Sequence, residues 1–379
     1  MKKQNNAPII GGRLLQARRI KGLTAKYVAE TVGVSAQAIS LYENSYSQPN
    51  PETFEKMISM YDFPFSFYFK PMKSTSVEGP VFYRKLTRAT KASRDIAFNN
   101  SQLFIHDIVE EIAPKLHLPA VDRLFMEIKN SVSVEKHSFD VEAMSKWVRK
   151  KWGLGYGPID NLMFELEKRG IIISVMKMPD DIDGFSYWLN GRPYIFVNRN
   201  NNFFRLRMSL AHELCHLFFH GAVNFEDDFD KIEEEARNFA SAFLAPNITF
   251  MNDIHATTLQ SLLSLKPKWK MSVAALLVRC ERLHLITEER SLSLNKQISI
   301  KKWRKKEPFD DVIPPEQPRL CRQAIALLLD NNIYNKAALK NLFSIGQNRI
   351  EDFCSLDPGF LDDPEIIDIS LARTRLKVT

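Results

Sequence analysis

The sequence predicts a mostly helical α+β protein, and three observations predict it. Residues from about 10 to 70 carry short apolar stripes at helical spacing, punctuated by Gly22 and Gly33. Apolar runs at 171–176, 185–188 and 194–197 have the length of strands, and the last two flank Asn190-Gly191, a strong hairpin signal. Two amphipathic stretches follow, the first holding His212-Glu213-Leu214-Cys215-His216 inside an apolar run.

At 379 residues the chain exceeds the usual size of one domain. Its 45% hydrophobic and 26% charged residues are those of an ordinary soluble protein, not of a disordered or fibrous one. No run of 18 apolar residues occurs, and Met1-Lys2-Lys3-Gln4-Asn5-Asn6 lacks the apolar core of a signal peptide, so a cytoplasmic protein without membrane contact is expected. Cys215, Cys280, Cys321 and Cys354 form no Cys-x-x-Cys pair, which fits free thiols in a reducing compartment. A net charge of +7 and a pI near 9.0 allow a polyanionic partner. Seven of the 52 lysines and arginines, from Lys2 to Lys26, fall in the first 30 residues against Glu30 alone.

Taken in order, Leu14, Leu15, Ala17 and Ile20 pattern a first helix that Gly22 stops. Thr24 caps a second, running through Tyr27, Val28, Ala29 and Val32. Gly33-Val34-Ser35 is a tight turn, and Ser35 caps a third helix, Ala36 to Glu43, that buries Ile39. This is helix-turn-helix geometry, with the third helix available to a major groove of double-stranded DNA. Gln37 is the natural base reader, because its amide can pair with adenine. Arg13, Arg18, Ser35, Ser40, Tyr42 and Asn44 are candidate phosphate contacts, and Thr24 sits among them as the cap. The stretch resembles the Cro/repressor (XRE-type) helix-turn-helix family in Leu23-Thr24, Val28-Ala29, Gly33-Val34-Ser35, Ile39 through Asn44 and Pro49 through Phe54.

Lys73 to Pro80 has the composition of a linker, and from Phe82 to about Asn130 the pattern is helical. Arg84, Lys85, Arg88, Lys91 and Arg94 read as a solvated face, and His106, His117 and His137 as satisfied or exposed histidines. Val141 to Trp152 and Ile159 to Arg169 read as helices ahead of the strand at 171–176 and the hairpin. An edge strand of such a sheet can hold a peptide by strand addition.

The helix from Arg205 to His220 carries the chemistry. Four residues apart, His212 and His216 leave one helix face a turn apart, where two neutral imidazoles can hold one Zn²⁺. Glu213 stands beside them as the base for a water molecule, so metal-assisted peptide hydrolysis is the reaction expected. The third ligand is expected from the next amphipathic helix, 232–246, where Glu235 flanks the apolar face while Glu233 and Glu234 read as a solvated helix start. His220, about 12 Å of helical rise beyond His212, is too far to reach the same metal from an unbroken helix. Order of sheet and helix together suggest a zincin-like (gluzincin) unit.

With these residues assembled, Asp183-Gly184-Phe185-Ser186, Pro193-Tyr194-Ile195, Ser209 through Leu217 with His220, and Glu235-Ala236 with Phe239-Ala240 and Pro246 resemble the ImmA/IrrE family of metallopeptidases. That resemblance implies zinc, with His212, His216 and Glu235 as ligands and Glu213 as catalytic base, and a repressor or antitoxin-like protein as substrate. The division expected is 1–72 for a DNA-binding helix-turn-helix domain, 73–139 for a linker and helical connector, and 140–250 for the peptidase. A helical, helix-turn-helix-like extension follows at 251–308, and a helical region without assigned role at 309–379. Lys301 to Lys306 is a basic run around Trp303, a solvated loop or a second nucleic-acid contact. The whole reads as a DNA-binding regulator with a zinc endopeptidase domain, open to homodimerisation. The alternative is a non-proteolytic transcription factor or antitoxin whose zincin fold senses a ligand or docks a partner.

Overall fold

A computed structural model describes residues 7–73, 78–83, 89–131, 140–221 and 229–362. The chain begins with four short helices, Gly11–Ile20 (α1), Ala25–Val32 (α2), Ala36–Glu43 (α3) and Pro51–Tyr61 (α4). The starts of the last three follow local chemistry: Thr24 Oγ1 accepts from Tyr27 N–H at 3.1 Å, Ser35 Oγ from Ala38 N–H at 3.1 Å, and Asn50 Oδ1 from Thr53 N–H at 2.8 Å. Gly33 closes α2 at φ 81°, a conformation other residues adopt only at a cost. Leu14, Ala17, Val28, Val32, Ile39 and Met57 form the bundle's interior.

The next segment departs from expectation. Glu78–Tyr83 is a strand (β1), not linker followed by helix. Lys91–Phe104 (α5) continues through a π-turn at Ile105–Val109 into Glu110–Ile112 (α6). Arg123–Ser131 (α7), Val141–Lys151 (α8) and Leu162–Glu167 (α9) lead to the strands Ile172–Met176 (β2), Gly184–Leu189 (β3) and Arg192–Asn198 (β4). The hairpin between β3 and β4 turns on Asn190 (φ 49°) and Gly191 (φ 70°) as the dipeptide implied. Sheet order is β1-β3-β4-β2, with β2 parallel to β4 and the other pairs antiparallel. Pairing Phe82 with Ser186, β1 occupies the β3 edge that strand addition would need.

Phe203–Phe219 (α10) and Phe229–Leu244 (α11) pack together on one face of this sheet, followed by Asn247–Phe250 (α12), Leu259–Trp269 (α13), Val273–Arg282 (α14) and Glu288–Ile300 (α15). Leu320–Asp330 (α16), Lys336–Phe343 (α17) and Gln347–Phe353 (α18) end the described chain. Alternation along the strands builds two cores. Ile173, Val175, Ile195 and Val197 face the core of α10 and α11, whereas Ile172, Phe185, Tyr187, Tyr194 and Phe196 face a second core shared with the N-terminal bundle and α16–α18. The C-terminal helices, which carry no motif, thus cover the back of the sheet.

One buried ion pair joins the N-terminal bundle to that second core. Arg13, 2% exposed, donates to Asp107 through Nη1 at 2.7 Å and Nη2 at 2.9 Å, and to the Lys70 carbonyl through Nε at 3.0 Å. Lys70 Nζ lies 3.0 Å from Asp107 and donates to the Leu342 carbonyl at 2.8 Å. Asp107→Ala strands a guanidinium in the interior, and a loss of about 3–5 kcal/mol is expected from denaturant titration. Retention of wild-type stability would show the pair to be dispensable.

His106 bonds Glu110 at 3.0 Å and Gln102 at 2.8 Å, and His117 is exposed, as expected of non-ligands. His137, Arg84, Lys85 and Arg88 lie outside the described residues. All four cysteines are buried and free, and no described helix is long and apolar enough to cross a membrane.

Candidate metal centre and nucleic-acid interface

Asn202 starts α10 by accepting from Arg205 N–H at 2.9 Å, and the helix then runs unbroken past His216. His212 Nε2 and His216 Nε2 lie 3.0 Å apart on its buried side. Their third neighbour is Glu233, with Oε2 3.4 Å from His212 Nε2 and Oε1 3.3 Å from His216 Nε2. Within the described residues these three side chains are the group whose ligand atoms converge within 4.8 Å. Burial pushes the Glu233 carboxyl pKa up, but hydrogen bonds from both imidazoles outweigh it and hold the group well below the carboxylate range.

Glu235 is elsewhere. Its Oε2 lies 3.3 Å from His220 Nε2, and His220 Nδ1 stands 2.8 Å from His216 Nδ1. The expected third ligand is therefore corrected from Glu235 to Glu233, and the reading of Glu233 as a solvated residue is overturned, since it is 6% exposed. The reason is helix phase. Glu233 shares a face with Ala236 and Ala240, three and seven residues on, and both alanines are fully buried. Small residues there let α11 approach α10 closely. Glu235 belongs with Phe239, one turn along, and reaches the next histidine down α10. His220 thus backs His216 on the side away from Nε2. Burial lowers its pKa to about 4 against the raising influence of Glu235.

Glu213, fully buried, accepts through Oε2 from Ser186 Oγ at 2.8 Å. Ser186 alternates with Phe185 and Tyr187 and so faces α10 instead of the second core. Sequence reasoning gave Ser186 no role. A small polar residue in an otherwise apolar strand was the available signal. Cys215, between the histidines, is wholly buried, and burial drives its thiol pKa well up, as befits a core residue.

The donor set fits zinc. Atoms bound tetrahedrally at about 2.0–2.1 Å stand about 3.3 Å from one another, close to the separations of 3.0, 3.3 and 3.4 Å here. Two imidazole Nε2 atoms this near, beside an ionised carboxylate, are also what a shared cation relieves. His212, His216 and Glu233 could hold it, with His220 and Glu235 orienting His216 from behind.

The N-terminal candidates divide. Gln37, Ser40 and Asn44 lie on the exposed face of α3, with Tyr42 half-buried beside them. Asn44 Nδ2 donates to the Ser40 carbonyl at 2.8 Å. Thr24 and Ser35 are exposed but spend their side chains as helix caps. Arg13 and Arg18 do not stand ready for phosphates. Arg13 is the buried partner of Asp107, and Arg18 is held by Glu43 through Nη2 at 2.8 Å and by the Leu23 carbonyl at 2.8 Å. Both basic residues point inward because acids distant in sequence neutralise them there, which a charge count cannot show.

Comparison with known families agrees with both parts. Residues 14–68 match the helix-turn-helix family model, and residues 166–281 match that of the IrrE N-terminal-like domain. No curated protein matches the sequence. The second match spans β2 to α14 and so includes α10, α11 and every residue of the candidate metal centre. The chain thus carries, at residues 14–68, a segment similar to XRE-type helix-turn-helix proteins and, at residues 166–281, one similar to the ImmA/IrrE peptidase-like domain.

Proposed function

We propose that this protein is a DNA-binding transcriptional regulator whose ImmA/IrrE-like domain is a zinc endopeptidase acting on a repressor or antitoxin-like protein. The observation that carries the reading is Glu213. It is buried next to the ligand histidines, with one carboxylate oxygen fixed by Ser186 at 2.8 Å. Zinc, when held by His212, His216 and Glu233, would polarise a peptide carbonyl and bring the pKa of water to about 7. Glu213 then takes the proton of the attacking water and returns it to the departing amine, as an oriented carboxylate in a dry site can. Ser186 keeps that carboxylate aimed. His220 and Glu235 hold the His216 ring in one tautomer.

Metal content of the purified protein, followed by incubation with cell extract with and without chelator, tests this reading. Zinc near one equivalent and metal-dependent loss of one protein are expected. A metal-free protein with intact fold refutes it. One observation favours the second reading, in which the domain senses or docks: β1 covers the β3 edge, so a peptide can add there only if residues 78–83 leave.

For the other half, we propose that α3 enters a major groove with Gln37 reading a base, a role that rests on its exposure at the start of the helix. Gln37→Ala is expected to cost about 1–3 kcal/mol of discrimination at one operator position while leaving non-specific binding nearly unchanged, as measured by competition titration. Uniform weakening on all sequences would assign Gln37 to the backbone instead.

A further inference from the structure

A cleft of about 400 Å³ opens between α10, α11 and α14 and the turn after α15. It is near the candidate metal centre: Met208, on its wall, is one turn ahead of His212, and Arg237 is 3.8 Å from Glu233. The lining is cationic, with Arg205, Arg237, Arg282, Arg304 and Lys305, of which Arg205 is ion-paired with Asp183 at 2.5 Å and Arg237 with Glu233 at 3.8 Å. Two carboxylates also line it, both bonded by buried Lys266, Glu307 at 2.8 Å and Asp310 at 2.6 Å, so the three together leave one negative charge against the cations. Glu307 additionally accepts from the Val273 and Ala274 N–H groups at 2.7 and 3.1 Å. Arg304 donates to neutral groups, Ser299 Oγ at 2.8 Å and Asn295 Oδ1 at 3.3 Å, so those bonds leave its charge uncompensated.

Arg282 adds a partly buried guanidinium to the same wall. Burial is the main influence and lowers its pKa, Arg237 and Arg279 lower it further by like-charge repulsion, and Glu234 and Glu281 act against them. Ser241, 1% exposed, also lines the cleft, and its hydroxyl oxygen is buried without a hydrogen-bond partner. A buried hydroxyl left so is costly unless something arrives to accept from it. Convergent cations and a waiting donor call for an anion with oxygen acceptors.

We propose that this cleft binds an acidic segment of the polypeptide on which the neighbouring metal centre acts, and so selects its substrate. The proposal rests on the hydrolase reading for the identity of the ligand, not for the existence of the site. A polypeptide is favoured over nucleic acid by placement, since Arg237 on the cleft wall lies 3.8 Å from Glu233 of the candidate metal centre. Trp303 is half-buried and held under Lys301 at 5.7 Å, not displayed for stacking on bases. The basic run 301–306 thereby gains a function that neither a solvated loop nor a nucleic-acid contact gives it.

Fluorescein-labelled oligoglutamate, titrated into the full-length protein and followed by anisotropy, tests the proposal. Binding that weakens with salt, and falls about tenfold or more in Arg282→Glu and in Lys305→Glu, is expected. Ser241→Ala should weaken it by a smaller factor without removing the salt dependence. Each variant is first checked for an unchanged melting temperature, and the Lys305 variant, at an exposed turn, stands if the Arg282 variant misfolds. Unchanged affinity in the Lys305 variant overturns the proposal. So does a single-stranded oligonucleotide that binds as tightly as oligoglutamate and loses affinity in the same variants. Chelated protein should bind oligoglutamate as well as zinc-loaded protein does. A failure of zinc binding or turnover therefore sinks the hydrolase reading while leaving this site testable by itself.

Discussion

Glu233→Ala is expected to strip zinc from the protein, whereas Glu235→Ala should leave it bound. Removing one of three protein ligands forfeits on the order of a quarter of the 10–16 kcal/mol typical of a four-ligand zinc site, roughly 3–4 kcal/mol or 10²–10³-fold in affinity. Glu235 touches His220 at 3.3 Å, and through it His216, so its loss disturbs orientation only. A decrease of about tenfold, the low end for groups behind a metal ligand, is the expected outcome. Competition with a chromogenic chelator measures both, with thermal melting to confirm that each variant folds. The reverse order of effects would return the ligand role to Glu235 and break the geometric reading of α11.

Glu213→Gln should separate metal binding from turnover. The amide keeps the volume and can still accept from Ser186 Oγ, so zinc content should match that of the wild type. It cannot take a proton from water, and cleavage should fall by about 10²–10⁴-fold. Ser186→Ala leaves the base in place but frees its orientation, and a smaller loss of about tenfold fits the removal of one hydrogen bond to a charged group. Accumulation of a bound, uncut protein on the Glu213 variant would identify the substrate. Persistence of the physiological output in that variant would instead favour the sensing role.

Much of this protein is set by neighbours along the chain. The helix caps at Thr24, Ser35 and Asn50, the Asn190-Gly191 hairpin, and the i, i+4 placement of His212 and His216 are local, because a cap, a two-residue turn and a helical face each involve only a few consecutive residues. Glu213, the proposed base, lies on the same turn of helix. What the order of residues left open is which of three consecutive glutamates faces the histidines. That depends on the rotation of α11 against α10, decided by buried Ala236 and Ala240 through close helix packing. Ser186 came to Glu213 only when β3 was laid beneath α10, across 27 residues of sequence. Arg13 illustrates the same limit: its basic charge suggested DNA, yet Asp107, 94 residues on, draws it into the interior. Short-range stereochemistry and periodicity can be read from the amino acids alone. Long-range pairing cannot, because burial reverses the meaning of a charge and a helix's phase is chosen by whatever packs against it.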